Sequence, residues 1–140
     1  VLATRAIFSM MTYRVFSQLG DLTIPRLADA LQGEMTESEL SSLKYLRDGD
    51  KFTIADKEIK FILTPGHTQG SGCYYIAEDE VLFSGDTLFH QSRGRTDFPG
   101  GSEAAIIRSI KEKLLVLPGE TTVYPGHMDM TTIDNEKVYY

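Results

Sequence analysis

The chain has 140 residues and 15.7 kDa, the size of one domain, and its 41% hydrophobic share is enough to furnish a core. Fourteen basic against twenty acidic residues leave a net charge of −6, which repels phosphate backbones and argues against a nucleic-acid partner. No apolar run approaches the roughly 18 residues needed to cross a bilayer, so no membrane is expected, and the single cysteine, Cys73, allows no intrachain disulfide and suits a cytoplasmic setting.

In chain order, residues 3–19 place Ile7, Met10, Met11, Val15 and Leu19 on one face of a 3.6-residue period, with Gly20 as a stop, and predict an amphipathic helix. Residues 25–33 read as a connection. Thr36 and Glu39 have capping-box spacing ahead of a short helix reaching Leu46. Beyond Asp48-Gly49-Asp50 the period changes to two. Lys51 to Ile54 and Glu58 to Leu63 read as strands about an Ala55-Asp56-Lys57 turn, and Cys73 to Ala77 with Glu80 to Ser84 as a second pair across an acidic turn. Residues 88–101, rich in Gly, Arg, Asp and Pro, read as a loop. Ser102 can cap a helix carrying Ile106, Ile107, Ile110, Leu114 and Leu117 on one face, which Pro118-Gly119 ends. Thr121 to Tyr124 makes one more strand, and the stretch from Thr131 looks helical. Interleaved helices and strands predict an α/β or α+β domain with helices packed on sheet faces.

Two of the three histidines share a context. Thr64-Pro65-Gly66-His67 and Tyr124-Pro125-Gly126-His127 each follow a predicted strand, so a sharp turn leaves an imidazole at the strand's end. Between them, Ser84-Gly85-Asp86-Thr87 does the same with a carboxylate. Two imidazoles and one carboxylate at three strand ends suit a divalent cation such as Zn²⁺, Mn²⁺ or Fe²⁺. Taken singly, each could be an ordinary turn residue; the joint pattern is the signal.

Four ordered blocks extend it: Thr64-Pro65-Gly66-His67-Thr68; Leu82 to Phe89 with Ser84-Gly85-Asp86-Thr87 at its centre; Gly94-Arg95-Thr96-Asp97 with Pro99-Gly100-Gly101-Ser102; and Tyr124-Pro125-Gly126-His127. Through them the chain resembles the metallo-β-lactamase superfamily, and most closely its glyoxalase-II-like hydrolases. The resemblance implies an αββα sandwich and a metal-dependent hydrolase of a small ester or thioester. It implies that His67 completes a first metal site, that Asp86 bridges two metals and is the catalytic carboxylate, and that His127 belongs to the second site. Zinc is the implied metal, one or two ions, with iron or manganese as alternatives, and the implied nucleophile is a hydroxide generated on the metal. Members of the superfamily carry an upstream His-x-His-x-Asp-His cluster, and here no histidine precedes His67. Two readings follow from that departure. In one, residues 1–140 form a single partial domain, the C-terminal portion of an enzyme, consistent with a first residue Val1 rather than Met. In the other, the chain is a degenerate member that binds metal weakly or not at all and acts as a binding or assembly module. A partial sandwich leaves an apolar sheet face to cover, so the chain is expected to associate with another copy or with its missing N-terminal half.

Arg93 and Arg95 are candidates for holding a substrate carboxylate, with a structural pairing of Arg95 and Asp97 as the alternative. His90 could touch substrate, stand in as a ligand, or face solvent. A nucleophilic hydrolase is disfavoured because Gln69 stands where an elbow Gly-x-Ser-x-Gly would need glycine, and a Cys73–His67 dyad is disfavoured because Cys73 opens a strand. A persulfide-oxidising iron enzyme belongs to the same superfamily and is retained as an alternative.

Overall fold

A computed structural model describes residues 46–54 and 56–140. The helices expected over residues 3–19 and 36–46 fall outside these residues, apart from Leu46.

Four strands run as an antiparallel meander: β1 (Lys51–Ile54), β2 (Lys57–Leu63), β3 (Gly72–Ile76) and β4 (Val81–Gly85). β4 then pairs in parallel with β7 (Thr122–Pro125), and β8 (Thr131–Thr132) closes the sheet antiparallel to β7. β2 shows why the segment is a strand: Ile59 and Phe61 are buried on one face while Glu58 and Lys60 project to solvent. Several strand ends differ by a residue from the sequence-based expectation, and around two turns the backbone gives the reason. Asp56 adopts a left-handed conformation (φ 64°), so the chain reverses there and Lys57 already pairs with Ile54. Glu80 is left-handed too (φ 51°) and ends a single 3₁₀ turn over Ala77–Asp79, so pairing resumes between Ile76 and Val81.

The crossover from β4 to β7 carries more structure than a loop. A two-residue ribbon, β5 (Leu88–Phe89) against β6 (Ser92–Arg93), precedes the helix α1 (Glu103–Ser109). As expected, Ser102 caps α1, its hydroxyl accepting from the Ala105 N–H at 3.2 Å. The α-helical pattern then widens into a π turn over Ile110–Leu114, closed by the Leu115 N–H on the Ile110 carbonyl at 2.9 Å. A last helix, α2 (Ile133–Lys137), follows β8 and is capped by Thr132.

Ile106, Ile110 and Leu114 present one face of α1 and its π turn to the sheet and are completely buried against Cys73, Leu82, Leu88, Val123 and Ile133. Each such side chain contributes about 1.5–3 kcal/mol of hydrophobic stabilisation. Ile59, Phe61 and Tyr74 form a second cluster on the opposite face. Lys113, on the π turn, donates to the Leu63 carbonyl at 2.7 Å and to Asp48 at 2.8 Å, tying the helical layer to the end of β2 where the first histidine turn begins.

Candidate metal centre

The turn after β2 is clamped from several sides. The Thr64 N–H donates to the Ser71 carbonyl (2.8 Å), the Ser109 hydroxyl to the Pro65 carbonyl (2.8 Å), and the Ser102 N–H to the Gly66 carbonyl (2.8 Å). Gly66 has φ +145°, and a Cβ there would lie 2.4 Å from Cα of Ile106, so only glycine lets the turn rest on α1. His67 is thereby delivered buried, 7% exposed, with Nδ1 2.7 Å from the carbonyl oxygen of Arg95. A carbonyl can only accept, so Nδ1 carries a proton, and Nε2 is turned to the other side.

On that other side lies Asp86, immediately beyond β4, with its side chain only 7% exposed. Its strand end is linked to that of β7 by the Gly126 N–H donating to the Gly85 carbonyl at 2.7 Å. Beneath it, the buried hydroxyls of Thr64 and Thr87 share a hydrogen bond of 2.8 Å, and Ser84 donates to the Leu88 carbonyl at 2.7 Å. One oxygen of the Asp86 carboxylate, Oδ2, faces His67 Nε2 at 3.6 Å; the other, Oδ1, bonds His127 Nδ1 at 2.8 Å. His127 follows β7, is 65% exposed, and meets the ring of Phe89 edge-on at 5.9 Å. The three residues singled out from the sequence are therefore brought together from three strand ends, each imidazole on its own oxygen of one carboxylate.

They open onto a cavity of about 970 Å³ lined also by Gln69, Phe89, Arg93, Arg95, Phe98 and Met128. Both arginines thus reach the site, but each is engaged by a carboxylate. Arg93 bonds Glu103, and Arg95 grips Asp97 through two bonds of 2.6 and 2.5 Å, the structural pairing weighed from the sequence. The Arg95 guanidinium holds the Asp97 carboxyl at a pKa of about 2. His90 does not line the cavity: its Nδ1 lies 3.5 Å from Glu136. Cys73 is wholly buried, and burial pushes its thiol up to about 11, which disposes of the thiol-dyad alternative.

Sequence reasoning passed over several contributors. Gly94 lies so close behind the site that a Cβ would stand 1.8 Å from the Asp86 carbonyl oxygen and 3.2 Å from His67 Nδ1. Phe89 and Phe98 wall the cavity; an aromatic ring inside a polar loop was the available signal for both. Glu136 is fully buried and accepts from the Gln91 N–H (2.9 Å) and the Thr131 hydroxyl (2.6 Å), anchoring the β5–β6 ribbon to α2. Nothing in its helical context distinguished it from a surface glutamate.

Among the described residues, no group of three or more His, Cys, Asp or Glu side chains is placed so that it could hold a metal ion as it stands. The donor types are nonetheless those that a borderline divalent ion prefers: His67 has its outer nitrogen anchored and its inner one directed at Asp86, and Asp86 divides its oxygens between two imidazoles. Three ligands are the number one catalytic ion keeps; two ions would have about two each.

The model of the metallo-beta-lactamase superfamily matches residues 11–127, and the chain belongs to that family. Among curated relatives, it is 44% identical to an uncharacterized protein of Mycobacterium leprae over 114 residues, covering 81% of this chain and 52% of that protein. It is 44% identical to the hydroxyacylglutathione hydrolase of Brucella ovis over 82 residues, covering 59% and 31% respectively. Of solved structures, ETHE1 from Myxococcus xanthus is 36% identical with a TM-score of 0.63, over 67% of this chain and 43% of that one. A protein named TTHA1623, crystallised in a di-iron-bound form, is 38% identical with a TM-score of 0.61, over 68% and 46%. The chain spans about half the length of the first of these relatives, or less. Among the described residues no helix is long and apolar enough to cross a membrane.

Proposed function

We propose that the protein is a metal-dependent hydrolase of a small ester or thioester, similar to hydroxyacylglutathione hydrolase, in which His67, Asp86 and His127 hold the metal. The observation that carries this reading is the division of the Asp86 carboxylate between two imidazoles at the floor of a large cavity. A divalent cation held there, zinc or else iron or manganese, supplies a Lewis acid and an acidified water. The chain's own residues do the rest. Asp86 orients both imidazoles, and the Arg95 carbonyl fixes the proton on His67 Nδ1. Phe89, Phe98 and Met128 wall the cavity with apolar surface, which lowers the local polarity around a reacting carbonyl. The single buried thiol is compatible with a cytoplasmic, reducing compartment.

Likeness to ETHE1 and to a di-iron protein favours a second reading, a persulfide-oxidising iron enzyme. Elemental analysis of the purified chain, followed by hydrolysis assays on thioesters and lactones with added Zn²⁺, Mn²⁺ or Fe²⁺, tests the first reading. Metal-dependent turnover is expected. Oxygen uptake with a persulfide, in the absence of any hydrolysis, would transfer the assignment to the second, and bound metal with neither activity would leave a binding module.

A further inference from the structure

We propose that Phe98 is a specificity-determining residue, an aromatic shelf beside His67 that receives a neutral, apolar acyl group, aromatic ones best. The identity of the ligand as an acyl compound rests on the hydrolase reading above; the shelf itself rests on geometry.

Phe98 is 41% exposed, and scattered exposed aromatics are common. This one is different because it lines the cavity and is held in place. Its ring meets His67 edge-on at 5.3 Å. The Arg95 guanidinium sits 4.4 Å from the ring centroid and is itself fixed by both Asp97 oxygens. The Arg95 carbonyl is also the acceptor that orients His67. One residue thus sets the imidazole through its backbone and the shelf through its side chain, so the two keep a constant relation.

The loop beneath is tight. The Gly101 N–H donates to the Phe98 carbonyl at 2.8 Å, and a Cβ on Gly101 would come within 2.3 Å of the Thr96 carbonyl oxygen. A rigid ring with little conformational freedom left to lose is an efficient contact for an apolar ligand.

Charge points the same way. Arg93 and Arg95 are the only Lys or Arg among the described cavity-lining residues, and both already face carboxylates, Glu103 and Asp97. Asp86 adds negative charge at the floor. A carboxylate on the acyl group would find no uncommitted Lys or Arg there, whereas Phe89, Phe98 and Met128 offer an apolar group a matching surface.

The test measures binding by calorimetry to two thioethers that cannot be hydrolysed, S-phenacyl-N-acetylcysteamine and S-carboxymethyl-N-acetylcysteamine. The wild-type chain is expected to bind the phenacyl compound at least tenfold more tightly than the carboxymethyl one. Phe98→Ala should weaken phenacyl binding at least tenfold, Phe98→Leu by less, and Arg95→Gln should narrow the preference, all with unchanged circular dichroism. Equal phenacyl binding by wild type and by Phe98→Ala or Phe98→Leu, no phenacyl binding by the wild type, or a preference for the carboxymethyl compound overturns the shelf. Turnover of the phenylacetyl and acetyl thioesters of N-acetylcysteamine, run alongside with Zn²⁺, addresses the other reading. No turnover with the phenacyl preference intact refutes the hydrolase and supports the shelf; turnover whose acyl preference ignores Phe98→Ala does the reverse.

Discussion

At the scale of single residues, the centre depends on groups that carry no reactive chemistry. Gly94 allows a loop to press on the backbone of Asp86, and with a methyl group 1.8 Å from that carbonyl something must move. Gly94→Ala is expected to lower stability by about 1–3 kcal/mol, the usual cost of overpacking, measured as a shift in the urea midpoint. An unchanged midpoint would show that the loop yields freely. Cys73, with its thiol pushed up to about 11, has roughly a hundredfold less thiolate at neutral pH than a thiol of ordinary pKa. Ellman's reagent should therefore leave it untouched in the native chain and modify it rapidly in urea; fast native reaction would mean that the strand opens. Asp97 gives a pH dependence with a definite sign. Its carboxyl is lowered in the folded chain, so the Arg95–Asp97 tie contributes fully above the ordinary value of 3.8 and is lost as pH falls through about 2. The Asp97 carboxyl resonance should titrate near 2, and a midpoint near 3.8 would deny the pairing. His67, Asp86 and His127 were legible in the sequence because Pro-Gly and Gly turns beside strands advertise themselves. The packing role of Gly94 and the place of Phe98 were not, because both depend on what the fold brings against them.

At the scale of elements, β2 was legible because exposed and buried residues alternate from Glu58 to Phe61, and β3, buried on both faces between the helix layer and a second apolar cluster, because its Tyr and Ile residues favour strands. Their ends slipped by a residue about Asp56 and Glu80, which took up left-handed conformations; Asp tolerates that region, but nothing about Glu80 announced it. The β5–β6 ribbon was invisible, since two-residue strands have no period to read. The π turn after α1 was equally hidden, because Ile110 and Leu114 satisfy an α-helical pattern as well. That turn carries Lys113 to the end of β2. Lys113→Met removes both its bonds, to Asp48 and to the Leu63 carbonyl, and is expected to cost about 1 kcal/mol or somewhat more, read as a lowered urea midpoint; no change would make the strap ornamental. Glu136→Ala should be costlier, since it strands a buried hydroxyl and a backbone N–H at once.

At the scale of the molecule, three strand ends of one sheet and the loop behind them produce a centre in which both imidazoles face Asp86. The family was legible from four short blocks spread over residues 64–127, and the match over residues 11–127 agrees with it. The sequence could not show how Asp86 divides its oxygens, because that depends on the parallel pairing of β4 with β7, a contact between residues about 40 positions apart. The reading stands on the three residues acting together upon a cation. Calorimetric titration of the metal-free chain with Zn²⁺, beside Asp86→Asn, tests this directly. Binding by the wild type should be at least tenfold tighter than by Asp86→Asn. Equal affinity in the two, or no binding by the wild type, would contradict the account.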